Sequence, residues 1–271
     1  MSVRTALNQA AAQLAAVSDT PKLDAELLMA HALGVERGAL LLDQGRHVVP
    51  ATFAMLVKRR MAHEPIAYII GVRDFWTVRL SVGPGVLVPR PDSETLIEAA
   101  VAHFGDTGPA TVLDLGTGPG TLLLAALDQW PNARGIGVDR SEIALGYART
   151  NATALSLAAR ATFVRGGWAD CGKADLILCN PPYVAADETL DPQIAAYEPH
   201  EALFAGADGL DDYRIILPTL APRIHPGGVA IIEIGVSQSE AVAALAKAAG
   251  LTVSARNDLG GRTRALICMP D

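Results

Sequence analysis

Along residues 1–68 the apolar positions recur at helical spacing: Leu23, Leu27 and Leu28, then Phe53, Leu56, Val57 and Met61. Each set gathers on one side of a 3.6-residue turn, which predicts a small helical bundle. Thr20 followed by Pro21 reads as a helix cap and first turn, and Gly34 and Gly38 interrupt the next connection. From Phe75 the period shortens to two. Trp76, Val78, Leu80 and Val82 fall on one face and Thr77, Arg79 and Ser81 on the other, with Gly83-Pro84-Gly85 as a turn and 86–88 as the return strand of a β-hairpin. Pro89-Arg90-Pro91 then leads into a helix over 92–104. Beyond Pro109 strands are expected at 111–114, 135–139, 161–165, 175–180, 229–234, 252–257 and 263–268, with helices near 119–128, 141–154, 212–222 and 238–249. Such alternation is the pattern of a mostly parallel sheet with helices on both faces.

Composition narrows the class. The 271 residues are 50% apolar and 19% charged, enough core for one or two domains. The greasiest run, 229–236, is broken by Glu233 and falls short of the roughly 20 apolar residues a membrane span needs. Asn8, Gln9 and Gln13 interrupt the alanine-rich start, which therefore reads as a helix rather than a leader, and a cytoplasmic protein is expected. Cys171, Cys179 and Cys268 show no Cys-x-x-Cys spacing, and the six histidines form no i, i+4 pair. Neither a disulfide framework nor a metal site is expected. Residues 1–88 hold 9 basic and 7 acidic groups, a balance of +2, whereas the remainder carries −9 of the overall −7. That acidic larger part weighs against nucleic acid as the main partner. The basic triplet Lys58-Arg59-Arg60 reads as a solvated helix face.

The chemistry concentrates at three strand ends. Asp114-Leu115-Gly116-Thr117-Gly118-Pro119-Gly120 places three glycines at alternate positions between a strand and a helix, where a backbone can turn sharply and a ligand can approach closely. The next strand ends at Asp139, 19 residues after Gly120, about the spacing at which a carboxylate meets a ribose in nucleotide-binding βαβ units. Ser141 is available to cap the following helix, which leaves Asp139 for the ribose. A dinucleotide fingerprint would want glycine at 121, which is Thr121, so the pattern favours S-adenosylmethionine over a nicotinamide cofactor.

Asn180-Pro181-Pro182-Tyr183 follows the fourth strand of this region. It suits a planar nitrogen with two hydrogens: the Asn180 side-chain oxygen and the Pro181 carbonyl can each accept one N–H, and Tyr183 can cover the substrate plane. An amide nitrogen is a poor nucleophile because its lone pair is conjugated. Gripping both hydrogens and aiming that lone pair at a sulfonium methyl supplies positioning and electrostatics without a strong base.

These motifs, with Pro65-Ile66-Ala67-Tyr68, Gly71-Val72-Arg73-Asp74-Phe75-Trp76, Val88-Pro89-Arg90-Pro91-Asp92-Ser93-Glu94, Glu198-Pro199, Ala202-Leu203, Gly206-Ala207-Asp208-Gly209-Leu210 and Glu233-Ile234-Gly235 with Gln238, resemble the release factor glutamine methyltransferases (the PrmC/HemK family) over nearly the whole chain. The resemblance implies an α/β fold: a class I, Rossmann-like, seven-stranded methyltransferase domain over 89–271, a β-hairpin linker over 71–88 and a small N-terminal helical substrate-docking domain over 1–70. It implies methyl transfer from S-adenosylmethionine, with S-adenosylhomocysteine as product and no metal. The acceptor would be the side-chain amide of the glutamine in the Gly-Gly-Gln motif of class I peptide chain release factors. Cofactor contacts carry over to Gly116, Thr117, Gly118, Pro119, Gly120, Asp139, Trp168 and Asn180, with Trp168 against adenine. Substrate contacts carry over to Asn180, Pro181, Pro182 and Tyr183, of which Asn180, Pro181 and Tyr183 would be catalytic. Two positions depart: Gly167 stands where an acidic residue usually precedes the tryptophan, and Pro119 where a small residue is commoner. The block from Arg90 to Glu94 has no derivable role beyond capping. The rival enzymatic reading is a DNA or RNA exocyclic-amino methyltransferase, which would need to extract a base and hold a polyanion; a non-catalytic adenosine-binding protein would have no need of the amide clamp.

Overall fold

The computed structural model describes residues 1–168 and 172–271, so Cys171 lies outside the described residues. Cys179 and Cys268 are buried free thiols. The chain divides into one unit of Met1–Val72 with Leu190–Glu198 and another of Arg73–Thr189 with Pro199–Asp271.

In the first unit the helical spacing is realised as α1 (Val3–Leu14), α2 (Pro21–Leu33), α3 (Arg37–Leu42), α4 (Phe53–Met61) and α5 (Ile66–Ile70). Ser2 caps α1 by accepting from the Thr5 amide, and Gly34 ends α2 in the left-handed region that its missing Cβ permits. Leu7, Leu14, Leu28, Met29, Leu40, Phe53 and Leu56 build the core. One expectation is corrected here. Arg60 is not on a solvated face: it is 5% exposed, and its Nε pairs with Asp24 of α2 at 2.8 Å. Arg59 pairs with Glu64. A buried cation needs a buried partner, and Asp24 supplies it.

The hairpin is formed by β1 (Val72–Phe75) and β2 (Val78–Ser81), turning at Trp76 with φ +52°. It therefore turns earlier than alternation alone predicts. Trp76 occupies the turn rather than a strand face, and 86–88 carries no strand. The reason lies outside the hairpin: the Trp76 amide donates to Glu94 Oε1 at 2.8 Å and its indole to Gln129 at 3.1 Å, which fixes the reversal there.

The second unit continues with α6 (Glu94–Phe104), β3 (Thr111–Leu115), α7 (Thr121–Gln129), β4 (Arg134–Asp139), α8 (Glu142–Ala154), β5 (Ala161–Arg165) and β6 (Ala174–Cys179). The short α9 (Pro192–Tyr197), absent from the sequence reading, belongs to the first unit, where Tyr197 Oη donates to the Ala62 carbonyl at 2.8 Å. Then come α10 (Asp211–Ile216), β7 (Ile224–Glu233), α11 (Ser239–Ala248), β8 (Leu251–Asn257) and β9 (Thr263–Pro270). Among the described residues the sheet has seven strands in the order β5-β4-β3-β6-β7-β9-β8, parallel from β5 through β7, with β9 antiparallel to both neighbours. Chain order reverses between β3 and β6. In open α/β sheets ligands bind beyond the carboxyl ends of the strands at such a switch point.

Candidate active site

Strand register decides which side chains meet. Leu115 of β3 is level with Val138 of β4 and with Cys179 of β6, and Cys179 is level with Ile232 of β7. The residues that follow, Gly116, Asp139, Asn180 and Glu233, therefore emerge side by side at one edge of the sheet. Three of the four were expected to meet, and they do so through pairing alone.

A cavity of about 300 Å³ opens at this edge, with Gly116, Thr117, Gly118, Pro119, Asp139, Trp168, Asn180 and Pro182 in its wall. Gly120, Pro181 and Tyr183 do not line it. Gly120, at φ +88°, instead lies at the start of α7, where a Cβ would strike the Leu124 side chain. Gly116 is at φ +70°, and a Cβ there would come within 3.0 Å of the Trp168 ring, so the glycine lets the indole lie against the turn. The Trp168 Nε1 donates to Asp212 at 2.8 Å, which fixes that ring.

Asp139 uses one oxygen to accept from the Gly118 amide at 2.9 Å and the other from the Ser141 amide at 2.8 Å. Ser141 caps α8 as expected. Each carboxylate oxygen retains a lone pair for a hydroxyl. Asp114 was missed as a site residue. It is 1% exposed; its Oδ2 accepts from Thr117 Oγ1 at 2.6 Å and from the Leu123 amide at 3.1 Å, while Oδ1 has no partner among the described residues. Burial pushes its carboxyl up to about 7 against those two donors. A buried acceptor without a donor is unfavourable unless a ligand supplies one, and Asp114 borders the cavity. A carboxyl inside the apolar run Val112-Leu113-Asp114-Leu115 was the available signal.

The segment after β6 is braced from behind. Tyr183 and Val184 both donate their amides to the Leu203 carbonyl, at 3.1 and 2.9 Å, and the Gln238 side chain donates to the Tyr183 carbonyl at 2.9 Å. Gly209, at φ +72°, passes so close that a Cβ would collide with that carbonyl. Tyr183 does not cover the cavity. Its hydroxyl donates to Glu233 Oε1 at 3.4 Å, and burial raises its pKa above the ordinary phenol range. The Asn180 Nδ2 donates to Ser93 Oγ at 3.2 Å, which leaves Oδ1 as the end of the amide available to a ligand. The block from Arg90 to Glu94 thereby acquires a structure: Asp92 pairs with Arg264 at 2.9 Å, Ser93 holds Asn180, and Glu94 holds the hairpin turn.

Among the described residues no helix is long and apolar enough to cross a membrane, and no cluster of three metal-ligating side chains is found.

Residues 5–71 match the family described as PrmC N-terminal domain, and residues 107–248 the family described as Methyltransferase domain. The chain is 43% identical to the release factor glutamine methyltransferase of Cereibacter sphaeroides, over 97% of both chains. It is 42% identical to that of Rhodospirillum rubrum, over 92% of this chain and 79% of the relative. Among solved structures, a methyltransferase from Pyrococcus furiosus superimposes with a TM-score of 0.53 at 18% identity, over 70% of this chain and 87% of that one. That last likeness shows the fold, which is the class I methyltransferase fold. With the N-terminal domain matched and relatives this similar aligned along nearly the entire sequence, the chain belongs to the release factor glutamine methyltransferase family.

Proposed function

We propose that this protein transfers the methyl group of S-adenosylmethionine to the side-chain amide nitrogen of the glutamine in the Gly-Gly-Gln motif of class I peptide chain release factors, in the cytoplasm. The observation that carries the reading is that Asn180 and the glycine turn open into the same cavity. The residues fit the cofactor: Asp114 offers an unpartnered acceptor for its ammonium group, Gly116, Thr117 and Gly118 a close-approach backbone, Asp139 a ribose acceptor and Trp168 a flat apolar face for adenine. When bound, the cofactor supplies an electrophilic methyl on a cationic sulfur.

The chain's own part is to make a carboxamide reactive. Asn180 Oδ1 accepts one N–H from the cavity side, and the carbonyl of Pro181, which follows Asn180 but does not line the cavity, is assigned the other; the pair concentrates electron density on nitrogen and fixes its lone pair for in-line attack. The new N–C bond would replace the methyl's bond to the sulfonium sulfur, leaving S-adenosylhomocysteine as a neutral thioether, and the nitrogen would release one of the two gripped protons to solvent water. Pro181 and Pro182 stiffen the carbonyl, and Tyr183 anchors the segment from its buried side. The helical unit, which exposes Leu41, Leu42, Val48 and Met55, takes the role of docking the protein substrate.

Isotope-labelled S-adenosylmethionine offered with purified release factor, and separately with DNA and RNA, tests the assignment. Label is expected in the release factor; label in nucleic acid alone would establish the rival amino-methyltransferase reading.

A further inference from the structure

Asn180 can serve as an acceptor only if its amide presents oxygen, not nitrogen, to the cavity. The two ends are nearly the same size, so shape does not choose between them. The hydrogen-bond chain behind the residue does. Asn180 Nδ2 donates to Ser93 Oγ at 3.2 Å, and Ser93 is hydrogen-bonded to the Glu233 side chain, which is 1% exposed and emerges next to Asn180 across the β6–β7 register. A serine hydroxyl has one proton. When an ionised carboxylate takes it, only lone pairs remain for Asn180, and the amide must turn its NH₂ toward Ser93.

We propose that Ser93 and Glu233 form a positioning relay that sets the orientation of the Asn180 amide and thereby makes it an acceptor for the substrate nitrogen. The proposal rests on the amide-clamp reading above. Its consequence is a dependence on the charge of Glu233. A protonated Glu233 can donate to Ser93, whose own proton is then free to point at Asn180. The amide can then turn its oxygen toward Ser93 and face the substrate N–H groups with another donor.

The surroundings hold Glu233 near that switching point. Burial pushes its carboxyl up to about 7, opposed by Ser93, the Arg264 guanidinium of β9 and the Tyr183 hydroxyl, and reinforced by Asp92 ahead of α6. Tyr213 of α10 donates to the Glu233 backbone carbonyl at 2.9 Å, and Arg264 also lies 3.6 Å from Asp258. Oε2 of Glu233 has no partner among the described residues, so the charge is only partly compensated.

The test is the pH dependence of single-turnover methyl transfer in the full-length protein and in Ser93→Ala, Ser93→Thr, Glu233→Gln and Asn180→Ala, with S-adenosylhomocysteine affinity and thermal midpoint measured alongside. For the unaltered protein the rate is expected to fall on the acid side with a midpoint near pH 7. Glu233→Gln, which cannot ionise but keeps an acceptor for Ser93, should lose that acid limb. Ser93→Ala should lower kcat about 10- to 100-fold, a typical consequence of loosened positioning. KM for release factor and S-adenosylhomocysteine affinity should stay within a few-fold, and Ser93→Thr should restore most of the rate. With S-adenosylmethionine saturating at every pH, so that protonation of Asp114 does not limit the rate, an acid limb that persists in Glu233→Gln, or full activity in Ser93→Ala, would overturn the relay. If both variants fail to fold, a flat profile in the unaltered protein between pH 6 and 8 overturns it instead. Full activity in Asn180→Ala would overturn the clamp itself, which separates failure of the relay from failure of the reading beneath it.

Discussion

At the scale of single residues the site is a set of acceptors waiting for donors. Asp114 and Asn180 border one cavity, yet their settings differ: Asp114 is fixed by Thr117 and α7, Asn180 by Ser93. Asn180→Ala removes an acceptor for the substrate and little else. It should abolish methyl transfer while calorimetry finds S-adenosylhomocysteine affinity within a few-fold of the unaltered protein; binding and transfer lost in parallel would mean Asn180 serves the cofactor instead. Asp114→Ala should do the reverse and weaken S-adenosylhomocysteine binding by about 10- to 100-fold, since a charge-assisted hydrogen bond contributes roughly 1.5–3 kcal/mol. The Asn-Pro-Pro-Tyr motif is legible in four consecutive letters, and the structure places its Asn180 and Pro182 at the cavity but not its Pro181 or Tyr183. Ser93 and Glu233 were legible only as parts of blocks, because their contacts join residues 87 and 53 positions away from Asn180 in sequence, a distance that no local pattern encodes.

At the scale of elements, hydrophobic period identified nearly every strand and helix of the second unit, because a parallel sheet buried on both faces leaves continuous apolar runs. It misjudged the hairpin. Alternation runs on through Trp76, but the reversal there is set by hydrogen bonds to Glu94 and Gln129 that lie outside the window. The expected helix near 212–222 is instead α10 followed by two 3₁₀ turns, at Leu217–Thr219 and Ala221–Arg223, each carrying a proline that interrupts α-helical bonding. Asn151 of α8 shows how elements are tied. Its side chain accepts from the Ser81 amide at 2.7 Å and donates to the Ser81 and Pro119 carbonyls at 3.1 and 2.9 Å, joining β2 to the glycine turn. Asn151→Ala should destabilise the protein by about 2–3 kcal/mol in denaturant titration, because three backbone groups lose a partner together. It should also weaken S-adenosylhomocysteine binding as Pro119 is released; unchanged binding would show that the turn holds its shape without this tie. In the first unit, Asp24→Ala strands the buried Arg60 and should cost about 3–5 kcal/mol. A loss below about 1 kcal/mol would place that pair among weakly contributing surface bridges.

At the scale of the whole molecule, the protein carries acidic groups in its core, and its stability should record them. The Glu233 carboxyl has an ordinary value of 4.5 and sits at about 7 when folded, so the unfolded chain gives up this proton first. The sign follows: its contribution to stability is full below about pH 4.5, is lost as pH rises toward 7 and is constant above that. The unfolding free energy of Glu233→Gln relative to the unaltered protein should therefore grow across that window by up to about 3 kcal/mol and then level off. A pH-independent gap would mean that Glu233 is not held near neutrality. The composition and charge that argued against a nucleic-acid substrate act at this same scale, and so does the division of the chain, whose return of 190–198 to the helical unit rests on contacts that sequence periodicity does not report. All of these features serve one act, the delivery of a methyl group to one nitrogen of a neutral amide. Tandem mass spectrometry of a class I release factor after incubation with this protein and S-adenosylmethionine tests that act most directly. The account predicts a single added methyl on the side-chain amide nitrogen of the Gly-Gly-Gln glutamine; a methyl on any other atom, or an unmodified glutamine beside an active enzyme, would contradict it.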